Sequence, residues 1–106
     1  MITAVVTAPI PEGFTNEEYA ETVKKNAERF RTIPGLVRKN FLFSAEQGLA
    51  GGVYLWETRE AAEACYAEGG LWRQAFTSIF GVQPQIAFFD TPVVVDNKVG
   101  EIVTAA

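Results

Sequence analysis

The sequence predicts an α+β fold, a ferredoxin-like βαββαβ sandwich in which helices cover one face of an antiparallel four-stranded sheet. Two observations support this prediction. Four segments have the apolar, β-branched and aromatic composition of strands, and a hairpin-sized loop joins the second to the third. Helical patterns follow the first and the third of these segments. At 106 residues the chain is expected to form one domain, residues 1–106.

The first strand and the first helix follow from residue types at their ends. The segment from Ile2 to Ala8 is apolar and β-branched, as strands are. Thr15, with Glu18 three residues later, forms a capping box that predicts a helix start. We expect this helix to end near Thr32, because Pro34 disfavours a helical residue before it. One side of the helix is apolar at helical spacing: Tyr19, Val23, Ala27 and Phe30.

The second and third strands are predicted to pair as a hairpin. Residues 36–44 form an extended segment of mixed polarity, residues 45–49 form the loop, and residues 50–57 return as the third strand. Gly51 and Gly52 lie inside this third strand. The pair indicates either close approach of a ligand or helix to the backbone or a β-bulge that increases the coiling of the strand, and we favour the bulge.

The second half of the chain adds helical segments and a last strand. A helix is predicted from Arg59 to Glu68, capped by Thr58. A second, very apolar helical pattern runs from Leu71 to Phe80. The fourth strand is expected to begin at residue 82 or 83 and to end at Asp90.

The sheet has more apolar side chains than helices on one face can cover. The other face therefore needs a second subunit, and we predict a homodimer. The tail, residues 93–106, is predicted either to form an edge strand across that dimer or to be frayed. The apolar sheet residues in question are Val5, Phe41, Phe43, Val53, Leu55, Phe88 and Phe89.

Composition excludes several classes of function. Nine Lys and Arg against thirteen Asp and Glu give a formal net charge of −4, so no nucleic acid partner is expected. The chain has no histidine, the commonest general base and metal ligand, and no metal site is predicted. Cys65 is the one cysteine and is expected to be a small buried residue. The N-terminus lacks signal-peptide features and no segment approaches the roughly 20 apolar residues of a membrane span, so we predict a cytoplasmic protein without a membrane partner.

Several short motifs resemble those of one family, the YdhR-like mono-oxygenases of the dimeric α/β-barrel superfamily, which also includes antibiotic-biosynthesis mono-oxygenases. The motifs are Pro34-Gly35-Leu36, Lys39, Ala50-Gly51-Gly52-Val53-Tyr54-Leu55, the helix from Glu60 to Tyr66, and Gly81-Val82. The resemblance implies a homodimer whose two sheets close into a barrel, with a cavity between sheet and helices in each subunit.

The resemblance also implies a type of chemistry. Mono-oxygenases of this superfamily typically oxidise electron-rich aromatic or polycyclic compounds without metal or flavin, so no cofactor is expected. Such a reaction needs an apolar pocket, an acceptor for a phenolic proton and a polar donor for the oxyanion. We predict Tyr54, Trp56 and Asn40 as the catalytic residues of such a site.

The register of the second strand decides which of its side chains reach that site. In one register Arg38 and Asn40 lie opposite Tyr54 and Trp56, and in the other Lys39 and Phe41 take that place. The sequence leaves both registers open. The predicted substrate-binding residues are Arg38, Lys39, Phe41, Tyr66, Trp72 and Phe76.

Two functions are therefore carried forward. The first is a cofactor-independent mono-oxygenase acting on a small aromatic or polycyclic apolar compound. The alternative is a non-catalytic homodimer that binds a hydrophobic small molecule, so whether the protein is an enzyme stays open. If Trp56, Trp72 and Phe76 pack on one another and fill the space beneath the helices, the enzyme hypothesis loses its site.

Overall fold

The computed structural model describes residues 1–104 of the chain. The strands of the main sheet are β1 (Ile2–Pro9), β2 (Leu36–Ser44), β3 (Leu49–Trp56) and β4 (Gln85–Asp90). The helices are α1 (Asn16–Ala27), α2 (Arg59–Cys65) and α3 (Leu71–Phe80). A 3₁₀ segment, Glu28–Thr32, continues α1, and two short strands, β5 (Val93–Asp96) and β6 (Glu101–Thr104), follow the sheet.

The main sheet has the strand order β2-β3-β1-β4, and all neighbouring strands pair antiparallel. This order and the βαββαβ succession confirm the predicted ferredoxin-like fold. The closure of two such sheets into a dimeric barrel stays a prediction.

Alternate residues of the central strand β1 define the two faces of the sheet. The side chains that face the helices are fully or almost fully buried, with Ala4 and Val6 at 0% exposure. The partners of these residues on β3 are Tyr54 and Gly52, and Ile2 pairs with Trp56. Tyr54 and Trp56 therefore lie on the helix face of the sheet, in the hydrophobic core.

The register of β2 is set by an irregularity at Val37. Leu36 pairs with Trp56, but the residue before Trp56 in β3, Leu55, pairs with Arg38. Val37 is therefore the extra residue of a bulge. One additional residue reverses the alternation of the strand. As a result Lys39 and the phenylalanines that follow it face the helices.

The predicted bulge at the glycine pair of β3 is wrong. Gly51 and Gly52 pair in unbroken register with both neighbouring strands. Gly51 has a φ of 154°, and a Cβ there would collide with the carbonyl oxygen of Val6. Glycine is therefore required because two strand backbones approach closely at this point.

Local capping explains the bounds of the helices. The Thr15 hydroxyl accepts a hydrogen bond from the Glu18 N–H at 3.2 Å, as the capping box predicts. The helix α2 is shorter than expected, since it ends at Cys65 rather than at Glu68. Tyr66, the next residue, turns into the core, and residues 67–70 form a turn before α3.

The tail forms a hairpin in which β5 pairs with β6, and it is not frayed over the part that the structure describes. Residues 105 and 106 of the predicted tail lie outside the described residues. Arg38 on β2 forms an ion pair of 3.3 Å with Asp96 on β5, which ties the hairpin to the sheet. None of the helices within residues 1–104 is both long enough and apolar enough to cross a membrane.

Candidate functional site

Four aromatic side chains form a hydrogen-bonded group between the sheet and the helices. The indole N–H of Trp72 donates to the Tyr54 hydroxyl at 2.9 Å, and that of Trp56 donates to the Tyr66 hydroxyl at 3.0 Å. The rings of Tyr54 and Trp56 are nearly parallel, with 4° between their planes. Tyr66 and Trp72 are in edge contact, with ring centroids 4.6 Å apart. We call these four residues the aromatic tetrad.

The tetrad and its neighbours fill the space beneath the helices. Trp56 is 0% exposed and Tyr54 2%, and Phe76 extends the packing with its ring centroid 5.3 Å from that of Trp72. This is the packing that, on the sequence-based argument, deprives the enzyme hypothesis of its site. Trp72 is the member of the tetrad that is only half-buried. A ligand can therefore enter this layer only if a ring moves, and Trp72 is the ring at its edge.

Lys39 extends from β2 into the edge of this aromatic layer. Its ammonium nitrogen lies 3.6 Å from the ring centroid of Phe30, 3.9 Å from that of Phe41 and 4.4 Å from that of Tyr54. These rings come from the 3₁₀ segment, β2 and β3. We call Lys39 and the three rings the lysine cage. Contacts of this kind are cation–π interactions, which stabilise the charged amine.

Gly52 provides the room that the lysine cage needs. A Cβ at this position would lie 3.1 Å from Cε of Lys39 and 3.2 Å from Cε1 of Tyr54. Both distances are shorter than ordinary van der Waals contact. The absence of a side chain at Gly52 thus lets the lysine lie against the tyrosine ring.

Burial changes the ionisation of the groups in and around the cage. It lowers the pKa of Lys39 to about 7, while the charge of a Cys65 thiolate acts in the opposite direction. Burial also raises the pKa of the Cys65 thiol to about 11. Burial also raises the pKa of Tyr54 and Tyr66 far above the usual range, although the indole hydrogen bonds act in the opposite direction. At neutral pH the tyrosines and the thiol are therefore uncharged, and Lys39 titrates.

Most of the predicted site residues meet on the helix face. The structure brings together Tyr54, Trp56, Lys39, Phe41, Tyr66, Trp72 and Phe76. It does not bring Asn40 or Arg38 to them, because the bulge at Val37 places both on the opposite face, where both are exposed. A catalytic role for Asn40 beside Tyr54 is therefore not compatible with this register, and any role for Asn40 elsewhere stays a prediction.

Asn40 and Arg38 instead line a cavity of about 310 Å³ on the open face of the sheet. The other lining residues are Thr3, Val53, Leu55, Thr91, Val93 and Val94.

A second cavity, of about 450 Å³, lies on the outer side of α3 next to Arg73. Arg73 is less solvated than its charge suggests, since it donates to the Tyr66 carbonyl oxygen at 3.0 Å.

Sequence reasoning missed two residues of the site. Phe30 was assigned only to the apolar side of the first helix, and Cys65 only to the core, yet both lie beside Lys39. The helical spacing of Phe30 showed that it faces the sheet but not which strand it meets. Within residues 1–104, no group of three His, Cys, Asp or Glu side chains is arranged to hold a metal ion.

Comparison with known proteins identifies the family. The family model described as "Putative mono-oxygenase ydhR" matches residues 9–88, most of the chain. The chain belongs to the ydhR mono-oxygenase family. None of the curated proteins matches it.

Solved structures share the fold of this ydhR-family chain. The monooxygenase ActVA-Orf6 of Streptomyces coelicolor, solved with the ligand nanaomycin D, is 21% identical, with a TM-score of 0.66 over 85% of this chain and 86% of that one. SnoaB of Streptomyces nogalater, a cofactor-independent oxygenase, is 17% identical, with a TM-score of 0.62 over 85% of this chain and 91% of that one. A "putative antibiotic biosynthesis monooxygenase" of Deinococcus radiodurans is 14% identical, with a TM-score of 0.67 over 91% and 97%. At these identities the likeness establishes the common fold.

Proposed function

We propose that this ydhR-family protein is a cofactor-independent mono-oxygenase that oxidises a small aromatic or polycyclic apolar compound carrying a phenolic hydroxyl. The observation that carries the proposal is the aromatic tetrad, in which each indole N–H is paired with a tyrosine hydroxyl. Such a layer offers flat apolar faces to a planar ligand and polar groups at the ring edges to its oxygen atoms. Membership of the family and the shared fold with SnoaB, named a cofactor-independent oxygenase, support the same class of reaction.

In the proposed reaction the substrate supplies all the electrons. Loss of the phenolic proton gives an electron-rich anion, which transfers one electron to dioxygen. The substrate radical and superoxide then combine to a carbon-bound hydroperoxide, taking up a proton, and loss of water from it leaves a quinone. The sum is phenol plus dioxygen to quinone plus water, with no external reductant. A buried apolar site suits this sequence because it keeps bulk water from the reactive intermediates.

The filled aromatic layer determines how the substrate binds. We infer that a planar substrate displaces the half-buried ring of Trp72 and takes its place against Tyr54, whose ring centroid lies 6.2 Å from that of Trp72. Trp72 is the second residue of α3 and follows Gly69 and Gly70, so a shift of the helix start moves this ring first. The Tyr54 hydroxyl, released from the indole N–H, then faces the substrate oxygen.

Oxygen consumption tests the proposed activity. A panel of phenols, naphthols and hydroxylated polycyclic compounds is incubated with the protein in air, with the heat-denatured protein as control. We expect at least one compound to give substrate-dependent oxygen uptake with one dioxygen consumed per quinone formed. Absence of such uptake across the panel contradicts the proposal.

The two tryptophans allow a direct test of the binding mode. The variant Trp56→Phe keeps Trp72 as the sole tryptophan, and Trp72→Phe keeps Trp56. A ligand that displaces Trp72 shifts the fluorescence emission of the first variant and leaves that of the second, whose tryptophan is 0% exposed, nearly unchanged. Equal changes in both variants, or changes in Trp56 alone, contradict entry at Trp72.

One observation favours the alternative function, a non-catalytic binding protein for hydrophobic small molecules. The aromatic layer is already packed and leaves no open site for a reaction, whereas a ligand can still bind by displacing one ring. The same panel separates the two functions. Ligand-induced stabilisation without any oxygen uptake supports the binding protein, and turnover excludes it.

We further propose that the protein acts as a homodimer. The open face of the sheet carries exposed apolar side chains, among them Phe89 at 55% exposure, and the hairpin adds Val95 at 61% and Ile102 at 70%. Exposed apolar surface that extends from a sheet to a neighbouring hairpin favours association.

A cytoplasmic location stays a prediction from the sequence.

A further inference from the structure

We propose that Lys39 is the catalytic base of the site, and that its neutral amine removes the phenolic proton of the substrate. This inference rests on the proposed mono-oxygenase function. Its basis is the position of the amine, which ends at the edge of the aromatic layer between the rings of Phe30, Phe41 and Tyr54. In this proposal the substrate lies against Tyr54 with its hydroxyl directed at the amine.

Besides Trp72, the lysine cage is a part of the aromatic layer that is partly exposed. Tyr54 is buried, whereas Lys39, Phe30, Phe41 and Cys65 are all partly exposed. The other residues around the amine are thus less buried than Tyr54, Trp56 and Tyr66.

No carboxylate neutralises the amine in the part of the chain that the structure describes. The four ion pairs of residues 1–104 involve other cations, namely Lys24, Arg31, Arg38 and Arg59. A lysine without a counter-ion in an apolar surrounding loses its proton more readily than an exposed lysine. The amine is therefore able to act as an acceptor near neutral pH, which exposed lysines are not.

The groups around Lys39 leave its titration undisturbed near neutral pH. Cys65 faces it from α2 and Tyr54 from β3, and burial raises the pKa of both, so that each is uncharged at pH 7. The 3₁₀ segment contributes the Phe30 ring, while its Glu28 and Arg31 pair with each other in solvent. Burial lowers the pKa of Lys39 to about 7, and the three ring faces act in the opposite direction by favouring the ammonium.

The proton transfer is balanced. The substrate O–H bond breaks, its electron pair stays on the oxygen, and the proton forms the third N–H bond of the Lys39 ammonium. The phenolate then reacts with dioxygen as described above. The ammonium returns its proton when the peroxide anion formed on the ring becomes the hydroperoxide, so that the amine is neutral again. Loss of water from the hydroperoxide then uses a hydrogen of the same ring carbon and needs no further proton.

The strength of this base limits the class of substrate. An ordinary phenol has a pKa of about 10, about three units above that of Lys39, so that transfer from it is about a thousandfold unfavourable. A hydroxyl conjugated to a carbonyl group on a fused ring is more acidic and closes this gap. Among the aromatic compounds of the proposed panel, those with such a hydroxyl are therefore expected to react faster than simple phenols.

The experiment compares the pH dependence of kcat/KM in the wild-type protein with that in two variants, Lys39→Met and Lys39→Arg. A base must start deprotonated, so wild-type kcat/KM rises about tenfold per pH unit below pH 7 and levels off above it. In both variants kcat/KM falls about 100-fold or more and the inflection near pH 7 disappears, because neither side chain can accept a proton. Arginine keeps only the positive charge. Lys24→Met, at an exposed lysine paired with Glu21, is the matched control and keeps the wild-type profile.

Opposite results overturn the inference. If Lys39 acts only as a fixed positive charge, kcat/KM falls as the pH rises through 7 and Lys39→Arg retains most of the activity. If the variants do not fold, the wild-type protein still decides, through its pH profile and an NMR titration of the lysine Cε carbons. One of the four lysines must titrate near pH 7, and titration of all four near 10 overturns the assignment. Absence of oxygen uptake by the wild-type protein instead refutes the proposed function itself.

Discussion

Lys39 and Tyr54 are cross-strand partners whose side chains meet on the helix face of the sheet, with the lysine nitrogen 4.4 Å from the centroid of the tyrosine ring. This contact exists because Val37 is inserted into β2 as a bulge. Without the extra residue, the same alternation from Leu36 places Arg38 inward and Lys39 outward. A single backbone irregularity thus determines which cation enters the aromatic layer.

Removing a tyrosine hydroxyl is expected to cost more at Tyr66 than at Tyr54. The variant Tyr66→Phe leaves the N–H of Trp56 unpaired at a site with 0% exposure, whereas Tyr54→Phe leaves that of Trp72, which is half-buried and can bond to water. We expect a loss of about 1–3 kcal/mol in the free energy of unfolding for the first and about 1 kcal/mol or less for the second. Urea unfolding measures both, and a larger loss for Tyr54→Phe contradicts the assigned pairing.

An alanine at Gly51 is expected to destabilise the protein severely. Its Cβ collides with the Val6 carbonyl oxygen, and neither strand backbone can move without breaking the pairing. Gly48→Ala is the matched control, because Gly48 also has a positive φ but has open space around it. We expect about 1–2 kcal/mol for the control and at least about 3 kcal/mol for Gly51→Ala, by thermal or urea unfolding. Similar losses in the two variants refute the close approach.

Stability is expected to rise with pH from about 7 to 9. The unfolded Lys39 holds its proton up to about 10.5, but the folded one releases it near 7, so above pH 7 the unfolded state binds more protons and folding is favoured. The gain is at most about 2.7 kcal/mol over two pH units, at 1.36 kcal/mol per unit. It ends near pH 9 and reverses above 10, since Cys65 and Tyr19 have raised pKa values of about 11 and 12 in the folded state.

The variant Lys39→Met tests the origin of this pH dependence. Its free energy of unfolding, measured by urea titration between pH 6 and 9, should change much less than that of the wild-type protein. Lys24→Met, at a site 70% exposed, should behave like the wild-type protein. An unchanged slope in Lys39→Met shows that another group causes the effect.

The dimer proposal predicts that a charge on the open face of the sheet prevents association. Phe89→Asp places a carboxylate on that face, whereas Leu71→Asp places one at the start of α3 on the helix side, where Leu71 is 85% exposed. Analytical ultracentrifugation should give twice the chain mass for the wild-type protein and for Leu71→Asp, and the chain mass for Phe89→Asp. A monomeric wild-type protein refutes the homodimer.

The sequence contained enough information for the fold but not for the register. Thr15 with Glu18, and the apolar periodicity of the segments, predict the order of the elements because these signals are local. The bulge at Val37 is not local in this sense, since it is set by the pairing with β3. Register errors of one residue exchange the two faces of a strand, and for this reason Asn40 was grouped with Tyr54.

The sequence left the contact of Lys39 and Phe41 with Tyr54 as one of two alternatives, because the register was open. Lys39 is one of the residues that resemble the family, but a lysine in a strand is usually solvated, and the local pattern does not show that Lys39 rather than Arg38 enters the core. Its burial depends on three rings from separate elements and on the missing side chain of Gly52. The tyrosine and tryptophan residues of β3 were recognisable because aromatic residues with alternate spacing commonly face a core.

Isotope labelling of the product tests the central claim, that the protein is a mono-oxygenase, most directly. A hydroxylated polycyclic substrate that gives oxygen uptake is oxidised under ¹⁸O₂ in ordinary water, and the product is analysed by mass spectrometry with short reaction times to limit exchange. We expect one ¹⁸O atom in the quinone and the other in water. A product without ¹⁸O, or with two ¹⁸O atoms, contradicts it.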